Sequence, residues 1–470
     1  MLRTSDIQSF FFLGIGGIGM SALARYFYAR GFRVYGYDRT PSPLTDQLIK
    51  EGMVITFDDS VSALESMHLS RRQTLVVRTP AVPENSEIFT YLREQGFDIR
   101  KRSEVLGLVT RTMQALCVAG THGKTTTSTI LAHLLYQSEV GTNAFLGGVS
   151  NNYGTNLLLQ DSSYVVVEAD EYDRSFHQLR PYMSIVTSVD PDHLDIYGTP
   201  EAYREAFSQY TSLITGALVM KQGIALEPKL KKGVSCYTYG VVSSPSDTQQ
   251  NDLPDFYADN IRVKNGQIYF DFHAPNETIA DLRLGVPVWV NVENSVAAMA
   301  VAWLNGVKAH ELRSGLSSFS GVYRRFNVHV HTPRVAYVDD YAHHPEELSA
   351  SVESISRLFP NHYAIAIFQP HLFTRTRNFM NEFAQVLSRM DEVILLPIYP
   401  ARELPIKGVT SDALLEKITS PKKMLVEKPA LCETIVAHVK AQDKPVAVMS
   451  LGAGDIDRLV PELTKVLKKI

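Results

Sequence analysis

A glycine-bounded turn that ends in Gly-Lys-Thr is the part of the sequence best suited to phosphate chemistry. Residues 115–119 are an apolar run, the turn Gly120-Thr121-His122-Gly123 follows, and a leucine-rich stretch comes after the turn. A strand, a tight turn and a helix start in this order direct backbone N–H groups and the positive end of a helix dipole at one point. We expect Lys124 to bridge the outer phosphates of ATP and the hydroxyl of Thr125 to ligate Mg²⁺. Val118 stands where the usual first glycine would be, so the loop is a shortened form.

Acidic residues and a histidine follow two further apolar runs. Residues 164–167 run into Glu168-Ala169-Asp170-Glu171, and residues 184–189 run into Asp190-Pro191-Asp192-His193. Fully apolar strands are typical of a parallel sheet covered on both faces, whose ligands bind at the carboxyl ends of the strands. We therefore expect Lys124 to converge with Glu168 and His193, both as metal ligands. Taken alone, His193 would be interpreted as a structural histidine.

A second glycine turn lies near the N-terminus. The apolar run 10–13 precedes Gly14-Ile15-Gly16-Gly17-Ile18-Gly19, and a second apolar run at 33–37 ends at Asp38. This pattern is G-x-G-x-x-G in a βαβ unit with an acid at the usual distance, which indicates a nucleotide that carries a diphosphate without saying which one. Glycines that serve only helix–strand packing are the alternative interpretation.

Apolar runs that end in polar or glycine-bearing loops recur along the whole chain, which predicts an α/β fold of three domains. The predicted domains are an N-terminal Rossmann-like domain (1–103), a central P-loop ATPase-like domain (104–319) and a C-terminal Rossmann-like domain (320–470). Within the central domain, residues 235–284 alternate short β-like pieces with polar loops and are expected to form an antiparallel excursion.

The composition excludes several classes of protein. The chain has 470 residues, a formal net charge of −4 and no cluster of basic residues, so it carries no electrostatic signature of nucleic-acid binding. Three distant cysteines argue against a disulfide framework. The apolar N-terminal run is too short for a membrane span. We expect a cytoplasmic protein without membrane association, either a monomer or a weak homodimer.

Two phosphate sites in one chain imply two nucleotide ligands or two parts of one large ligand, and no residue pattern indicates a covalent nucleophile. This combination favours ATP-dependent phosphorylation of a bound substrate group, for which a carboxylate is a natural acceptor. The motifs at 119–127, 168–171 and 192–195 resemble the ATP and metal motifs of the Mur ligases. The stretches 12–21, 339–345, 368–376 and 452–456 extend the resemblance over all three domains.

The resemblance implies an enzyme of peptidoglycan precursor synthesis that uses ATP and Mg²⁺ to join L-alanine to the lactyl carboxylate of UDP-N-acetylmuramate through an acyl phosphate. The residues implied for the UDP part are Gly14, Gly16, Gly19, Asp38 and Thr79, and those for the sugar and lactyl end are Thr155 and Asn156. The residues implied for ATP are Gly120, Thr121, His122, Gly123, Lys124, Thr125, Thr126, Asn294, Arg325 and Asp340. One Mg²⁺ would be held by Thr125 and Glu168 and a second by His193. The residues implied for alanine are His371 and Arg375, and those implied for catalysis are Lys124, Glu168, His193 and Arg325.

Three positions depart from the family pattern. Residues 206–208 are Ala-Phe-Ser where several Mur ligases have a carbamylated lysine, so support for the second metal must come from elsewhere. Val290 replaces a histidine near the adenine-side asparagines, where helix capping is the alternative role for Asn294. Leu372 replaces an arginine after Pro-His, and Arg377 could supply that contact.

Other interpretations of the sequence remain at this point. The nearest is a Mur ligase that adds a preformed peptide to the same sugar nucleotide. An NAD-dependent oxidoreductase would account for the N-terminal glycines but not for the Gly-Lys-Thr loop. A nucleotide-binding regulator without turnover would leave the lysine, threonine, glutamate and histidine set without a role, as would a plain glycine turn with a solvated lysine.

Overall fold

The computed structural model describes residues 6–243, 252–264, 266–401 and 403–470. Its regular elements form three sheets with helices between the strands. The chain divides into two compact units. The first unit contains the residues up to Asp259 together with Phe272–Ala280 and Asn294–Ser318, and the second contains Asn260–Asp271, Asp281–Glu293 and Phe319–Ile470.

The N-terminal sheet is parallel, with the strand order β3-β2-β1-β4-β5. All five residues of its central strand are buried, as expected for an apolar run covered on both faces. Its strands are β1 (Ser9–Leu13), β2 (Arg33–Tyr37), β3 (Val54–Thr56), β4 (Thr74–Arg78) and β5 (Asp98–Lys101). Its helices are α1 (Ile18–Ala29), α2 (Pro43–Lys50), α3 (Val61–Glu65), α4 (Glu87–Glu94) and α5 (Arg102–Thr110). The order reverses at β1, so the loop after β1 lies at the switch point where ligands bind in such sheets.

The central sheet contains the phosphate loop between β6 and α6. Its strands are β6 (Gln114–Ala119), β7 (Asn143–Ser150), β8 (Thr155–Leu158), β9 (Tyr164–Glu168), β10 (Pro181–Val186), β11 (Ala217–Lys221), β12 (Ser235–Val241), β13 (Phe256–Lys264), β14 (Gln267–Ala274) and β15 (Glu277–Arg283). Its helices are α6 (Lys124–Tyr136), α7 (Leu194–Tyr197), α8 (Pro200–Thr211), α9 (Val290–Leu304) and α10 (Ala309–Ser318). Strand β6 lies between β9 and β10 and is parallel to both, so the ends of these three strands meet at one edge.

The expectation of an antiparallel excursion at 235–284 is wrong for its first part. Strand β12 pairs in parallel with β11, and the start of β13 pairs in parallel with β12. Alternating polar and apolar residues predict a strand with one covered face, but they carry no information about the direction of its neighbour.

The C-terminal sheet has the strand order β16-β17-β21-β18-β19-β20, with an antiparallel edge at β16 and parallel pairs elsewhere. Its strands are β16 (Asn327–His331), β17 (Val335–Asp340), β18 (Tyr363–Phe368), β19 (Glu392–Leu395), β20 (Lys422–Leu425) and β21 (Val446–Leu451). Its helices are α11 (Pro345–Leu358), α12 (Phe373–Asn378), α13 (Met380–Leu387), α14 (Ser411–Lys417), α15 (Leu431–Lys440) and α16 (Val460–Leu467). The loops after β17, β18 and β21 therefore share one edge.

None of the helices in the described part of the chain combines the length and the hydrophobicity needed to span a bilayer.

Candidate active site

The phosphate loop has two glycines in the left-handed region, Gly120 at φ +133° and Gly123 at φ +80°. A Cβ atom on Gly120 would collide with Thr187, and one on Gly123 would lie 2.9 Å from Oδ1 of Asn294. A hydrogen bond also holds the loop against the segment after β10, because the hydroxyl of Thr121 donates to the carbonyl of Asp190 at 2.7 Å. Both glycines are thus required by backbone conformation and by close approach. The N-terminus of α6 is left facing the loop, as a phosphate site needs.

Lys124 pairs with Glu171, a carboxylate to which the sequence assigned no role. Its Nζ atom lies 2.9 Å from Oε1 and 2.8 Å from Oε2 of Glu171; the Glu171 side chain is buried, and the Lys124 side chain is 14% exposed. Burial lowers the pKa of Lys124, but the carboxylates of Glu171 and Glu168 outweigh it and raise the pKa overall. Burial raises the pKa of the Glu171 carboxyl, against the opposing effect of Lys124. The signal that could have found Glu171 is its place at the end of the acidic turn 168–171.

Thr125 and Glu168 form a second pair at the same edge. The Thr125 hydroxyl donates to Oε1 of Glu168 at 3.2 Å. A Cβ atom on Gly147 would overlap the Glu168 carboxylate, so this glycine leaves the space that the carboxylate occupies. Hydroxyl and carboxylate oxygens are the hard ligands that Mg²⁺ prefers, and the donor set at this pair therefore fits the predicted metal.

His193 lies beside Glu171. Its Nε2 atom is 3.9 Å from Oε1 of Glu171 and 3.6 Å from Oδ2 of Asp192. The residue has φ +52°, an unusual backbone conformation for histidine that is found at functional sites. The structure thus brings His193 close to the Lys124 pair, as the sequence predicted, and identifies Glu171 as a carboxylate that faces both side chains.

Asn294 contacts the phosphate-loop helix. Helix α9 begins at Val290, so Asn294 lies inside the helix, one turn beyond the end that a capping residue would occupy. Its Oδ1 atom accepts a hydrogen bond from the Thr127 hydroxyl at 3.2 Å. The predicted adenine contact is therefore placed next to the phosphate loop. Thr126 is half-buried on the first turn of α6.

The N-terminal glycine turn is shaped by Asp38 and Thr79. The backbone N–H of Gly16 donates to Oδ2 of Asp38 at 2.8 Å. A Cβ atom on Gly14, which has φ +84°, would lie 2.6 Å from Cγ2 of Thr79. Near the start of α1, Gly19 is in close contact with the Arg102 guanidinium, since a Cβ atom there would lie 2.8 Å from its Nη1. The turn therefore opens on a cationic side chain that the sequence reasoning did not single out.

One cavity of about 330 Å³ joins this glycine turn to the metal-site candidate. Arg102 lines it and forms an ion pair of 3.0 Å with Asp170, which stands in the acidic turn after β9. Glu168 lines the same cavity. Other lining residues are Gly17, Ile18, Gly19, Met20, Ala22, Thr79, Leu106, Phe145, Leu146 and Gly147. A diphosphate bound at the glycine turn would thus have the rest of its ligand directed toward Glu168.

Of the two residues predicted for the sugar and lactyl end, Thr155 is half-buried and Asn156 is fully buried. The amide of Asn156 accepts from Nη1 of Arg25 at 2.5 Å and donates to the carbonyl of Ile18 at 2.7 Å and to the Ser21 hydroxyl at 2.9 Å. The described contacts of Asn156 are therefore with the glycine-turn helix α1 and fix its start against the central sheet.

We expect Asn156→Ala to lower the free energy of unfolding by about 2–3 kcal/mol, because it leaves the buried Arg25 guanidinium and the Ile18 carbonyl without this partner. Urea unfolding measures the change. Asn276→Ala, at an exposed turn, is the control and should change the value by less than about 0.5 kcal/mol. A variant at position 156 as stable as the wild type would contradict the linking role.

In the second unit, Asp340 is the last residue of β17, and Arg325, which precedes β16, contacts the neighbouring Tyr341. The Arg325 guanidinium is 5.2 Å above the Tyr341 ring and 3.7 Å from Glu347. Asp340 is buried and accepts from the Ser351 hydroxyl at 2.5 Å. Burial raises the pKa of Asp340 to about 6, although Ser351 and Arg325 lower it.

His371 and Arg375, the residues predicted for alanine, are neighbours after β18. Nη1 of Arg375 lies 3.2 Å from Nδ1 of His371, whose ring stacks on Tyr399 at 5.7 Å. The residue between the motif histidine and α12, Leu372, has φ +70°, and Arg377 is exposed with its Nε donating to Asn378. A guanidinium beside an uncharged imidazole can bind a carboxylate and accept a hydrogen bond at the same place.

His371 provides a pH test of this cluster. Burial, then the charge of Arg375 and the ring of His343, lower the pKa of His371 to about 4. Between pH 4 and the ordinary value of about 6.5 the unfolded chain binds a proton that the folded chain does not, so stability falls as the pH falls through this window. In urea unfolding, the stability difference between wild type and His371→Gln should shift against the wild type by about 1–2 kcal/mol from pH 7 to pH 4. Parallel pH profiles for the two proteins would contradict the buried neutral imidazole.

Comparison with known proteins agrees with the geometry. Three family models match successive parts of the chain: the Mur ligase family catalytic domain at 9–113, the Mur ligase middle domain at 118–302 and the Mur ligase glutamate ligase domain at 324–455. The UDP-N-acetylmuramate–L-alanine ligases of Parabacteroides distasonis and Porphyromonas gingivalis are each 53% identical to the chain, over 99% and 98% of it and over 98% and 99% of their own lengths. The crystal structure of the UDP-N-acetylmuramate–alanine ligase MurC of Thermotoga maritima has a TM-score of 0.79 at 26% identity and covers 97% of this chain and 98% of its own.

A phosphate loop whose Thr125 donates to Glu168, and a separate glycine turn that shares a cavity with Glu168, fit the class of ATP-dependent ligases to which these relatives belong. The chain belongs to the Mur ligase family. It is an enzyme of peptidoglycan precursor synthesis with a three-domain α/β fold, as the sequence predicted, and the alternatives of an oxidoreductase and of a regulator without turnover are excluded. The boundaries at 103/104 and 319/320 remain predictions.

Proposed function

We propose that the enzyme joins L-alanine to the lactyl carboxylate of UDP-N-acetylmuramate with cleavage of ATP. The observation that carries the proposal is the cavity between the glycine turn and Glu168. It would connect a diphosphate bound at the glycine turn with Glu168, which accepts a hydrogen bond from Thr125 of the phosphate loop. The names of relatives with 53% identity over nearly the whole chain support the choice of substrates.

The residues of the first unit would position the phosphoryl transfer. The glycine turn, with Asp38 and Thr79, would hold the UDP part, and Arg102 would neutralise the diphosphate charge. Loop N–H groups and Lys124 would hold the ATP phosphates in line with the lactyl carboxylate. Mg²⁺ held by Thr125 and Glu168 would neutralise charge on the transferred group, and His193 would support a second ion.

The residues of the second unit would present the amine. Arg375 would bind the alanine carboxylate, which leaves the amino group free for attack on the acyl phosphate. At neutral pH the low pKa of His371 keeps the imidazole uncharged, so that its ring nitrogen can accept a hydrogen bond from the amine. In the attack, the neutral amine nitrogen forms the bond to the acyl carbon, and the bond between that carbon and the phosphate oxygen breaks. Inorganic phosphate leaves with the proton that the amine loses. We infer that Arg325 and Asp340 contribute to nucleotide binding.

The test is phosphate release from ATP and Mg²⁺ with UDP-N-acetylmuramate, with and without L-alanine, with the product identified by mass spectrometry. We expect release that depends on both substrates and a product heavier by one alanine residue. Release with a preformed peptide in place of alanine would show instead that the enzyme is the peptide-adding type of Mur ligase. The expected monomer or weak dimer, the absence of nucleic-acid and membrane partners and the cytoplasmic location remain predictions.

A further inference from the structure

The Lys124 ammonium is held by oxygen atoms of its own loop and of Glu171. Besides its two contacts with Glu171, its Nζ atom donates to the carbonyls of Gly120 at 2.6 Å and Thr121 at 3.2 Å. It is thus bent back onto its own loop and surrounded by oxygen atoms. An ammonium has three N–H donors, so it can bridge phosphates only after some of these contacts break.

Glu171 cannot follow Lys124 when the lysine moves, because its backbone is fixed on both sides. The Tyr197 hydroxyl and the N–H of Arg174 both donate to the Glu171 carbonyl, at 2.5 and 2.9 Å. The carbonyl of Asp170 accepts from Phe176 N–H at 2.9 Å. The Glu171 side chain is only 3% exposed, which leaves it little room to turn. Movement of Lys124 toward a ligand therefore separates the ion pair.

We propose that Glu171 is a positioning residue whose carboxylate neutralises Lys124 until ATP phosphates replace it. The inference rests on the proposed function, since the incoming anion is ATP. A largely buried ammonium without a counter-charge is destabilising, so a fixed carboxylate preserves the loop before the nucleotide arrives. The same carboxylate competes with phosphate for Lys124, and the apparent affinity for ATP is reduced by the fraction of the protein in the paired state.

The proposal predicts that substitution of Glu171 strengthens ATP binding, whereas loss of a purely structural residue would weaken it or leave it unchanged. Glu171→Gln should bind Mg²⁺-free ATP, in the presence of EDTA, about tenfold more tightly than the wild type in isothermal titration calorimetry, because the competing charge is gone. Without nucleotide the variant should unfold at lower urea concentration. Unchanged or weaker ATP binding would overturn the proposal.

Asp170→Asn is the matched control for the loss of one negative charge from the same turn, since Asp170 pairs with Arg102 and not with Lys124. If ATP phosphates replace only the Glu171 carboxylate at Lys124, the affinity of Asp170→Asn for Mg²⁺-free ATP should differ from that of the wild type by less than about twofold. Equal tightening in both variants would show general electrostatic repulsion and would overturn the specific role of Glu171.

A crystal structure of the wild type with a non-hydrolysable ATP analogue tests the same point without a variant. We expect Nζ of Lys124 within hydrogen-bond distance of a phosphate oxygen and more than 4 Å from both oxygens of Glu171. If the ion pair persists with the nucleotide bound and the enzyme still forms the alanine adduct, the inference about Glu171 is wrong and the proposed function stands. Absence of any ATP binding by the wild type would overturn the proposed function itself.

Discussion

Lys124→Ala is expected to lower ATP-dependent turnover by about 10³-fold or more, since phosphoryl transfer depends on charge placed around the γ-phosphate. The fold should survive the change. Without Lys124 the buried carboxyl of Glu171 loses the charge that opposes its raised pKa, so it can take up a proton instead of remaining as an isolated anion. Phosphate release in the presence of both substrates measures the loss, and circular dichroism measures the fold.

The control for this prediction is Lys50→Ala at the exposed end of α2, which removes the same functional group from the surface. Its turnover should stay within about twofold of the wild type. Near-normal turnover of a correctly folded Lys124→Ala protein would refute the assignment of this loop to ATP phosphates.

Glu168→Gln is expected to reduce turnover by about 10²-fold and to raise the Mg²⁺ concentration needed for half-maximal activity. The amide keeps the shape of the side chain and can still accept from Thr125, so the change removes the charge with little effect on packing. Titration of activity with Mg²⁺ at saturating ATP measures both quantities. Chelation of Mg²⁺ by EDTA should abolish the activity of the wild type, and added Mg²⁺ should restore it.

The control is Glu94→Gln, an exposed residue at the end of α4. Its Mg²⁺ titration should overlay that of the wild type. If the curve for Glu168→Gln overlays it as well, this carboxylate does not hold the metal, and the choice passes to Glu171, which also faces His193.

The positions of the two glycine turns could be predicted from the sequence because they depend on local rules. Gly14 and Gly123 occupy left-handed backbone conformations that other residues rarely adopt. The turns that contain them begin directly after the apolar strands β1 and β6. The strand edges were also predictable, since the carboxyl ends of parallel strands always share an edge. The position of each glycine turn and the edge of the sheet at which it lies thus follow from short segments.

Pairings between distant segments could not be predicted in this way. The sequence placed Glu168 and Glu171 in one acidic turn, but side chains three residues apart in a turn can face different partners. In the folded chain Glu168 contacts Thr125 while Glu171 contacts Lys124. Asn156 shows the same limit. The resemblance implies a contact with the sugar and lactyl end, but no short pattern predicts the hydrogen bonds that its buried amide makes with Arg25 and Ile18.

The sequence by itself determined the order of an apolar strand, a glycine turn and a helix that starts at Lys124, which predicts a phosphate site because the geometry is local, and its motifs indicated the Mur ligase family. Only the tertiary structure decided which carboxylate neutralises that lysine and which cavity connects the two nucleotide turns. These depend on the register of β6 against β9 and on the packing of α1 against the central sheet. Such contacts join residues far apart in the chain, and their partners are selected by the burial of the whole core rather than by any short pattern.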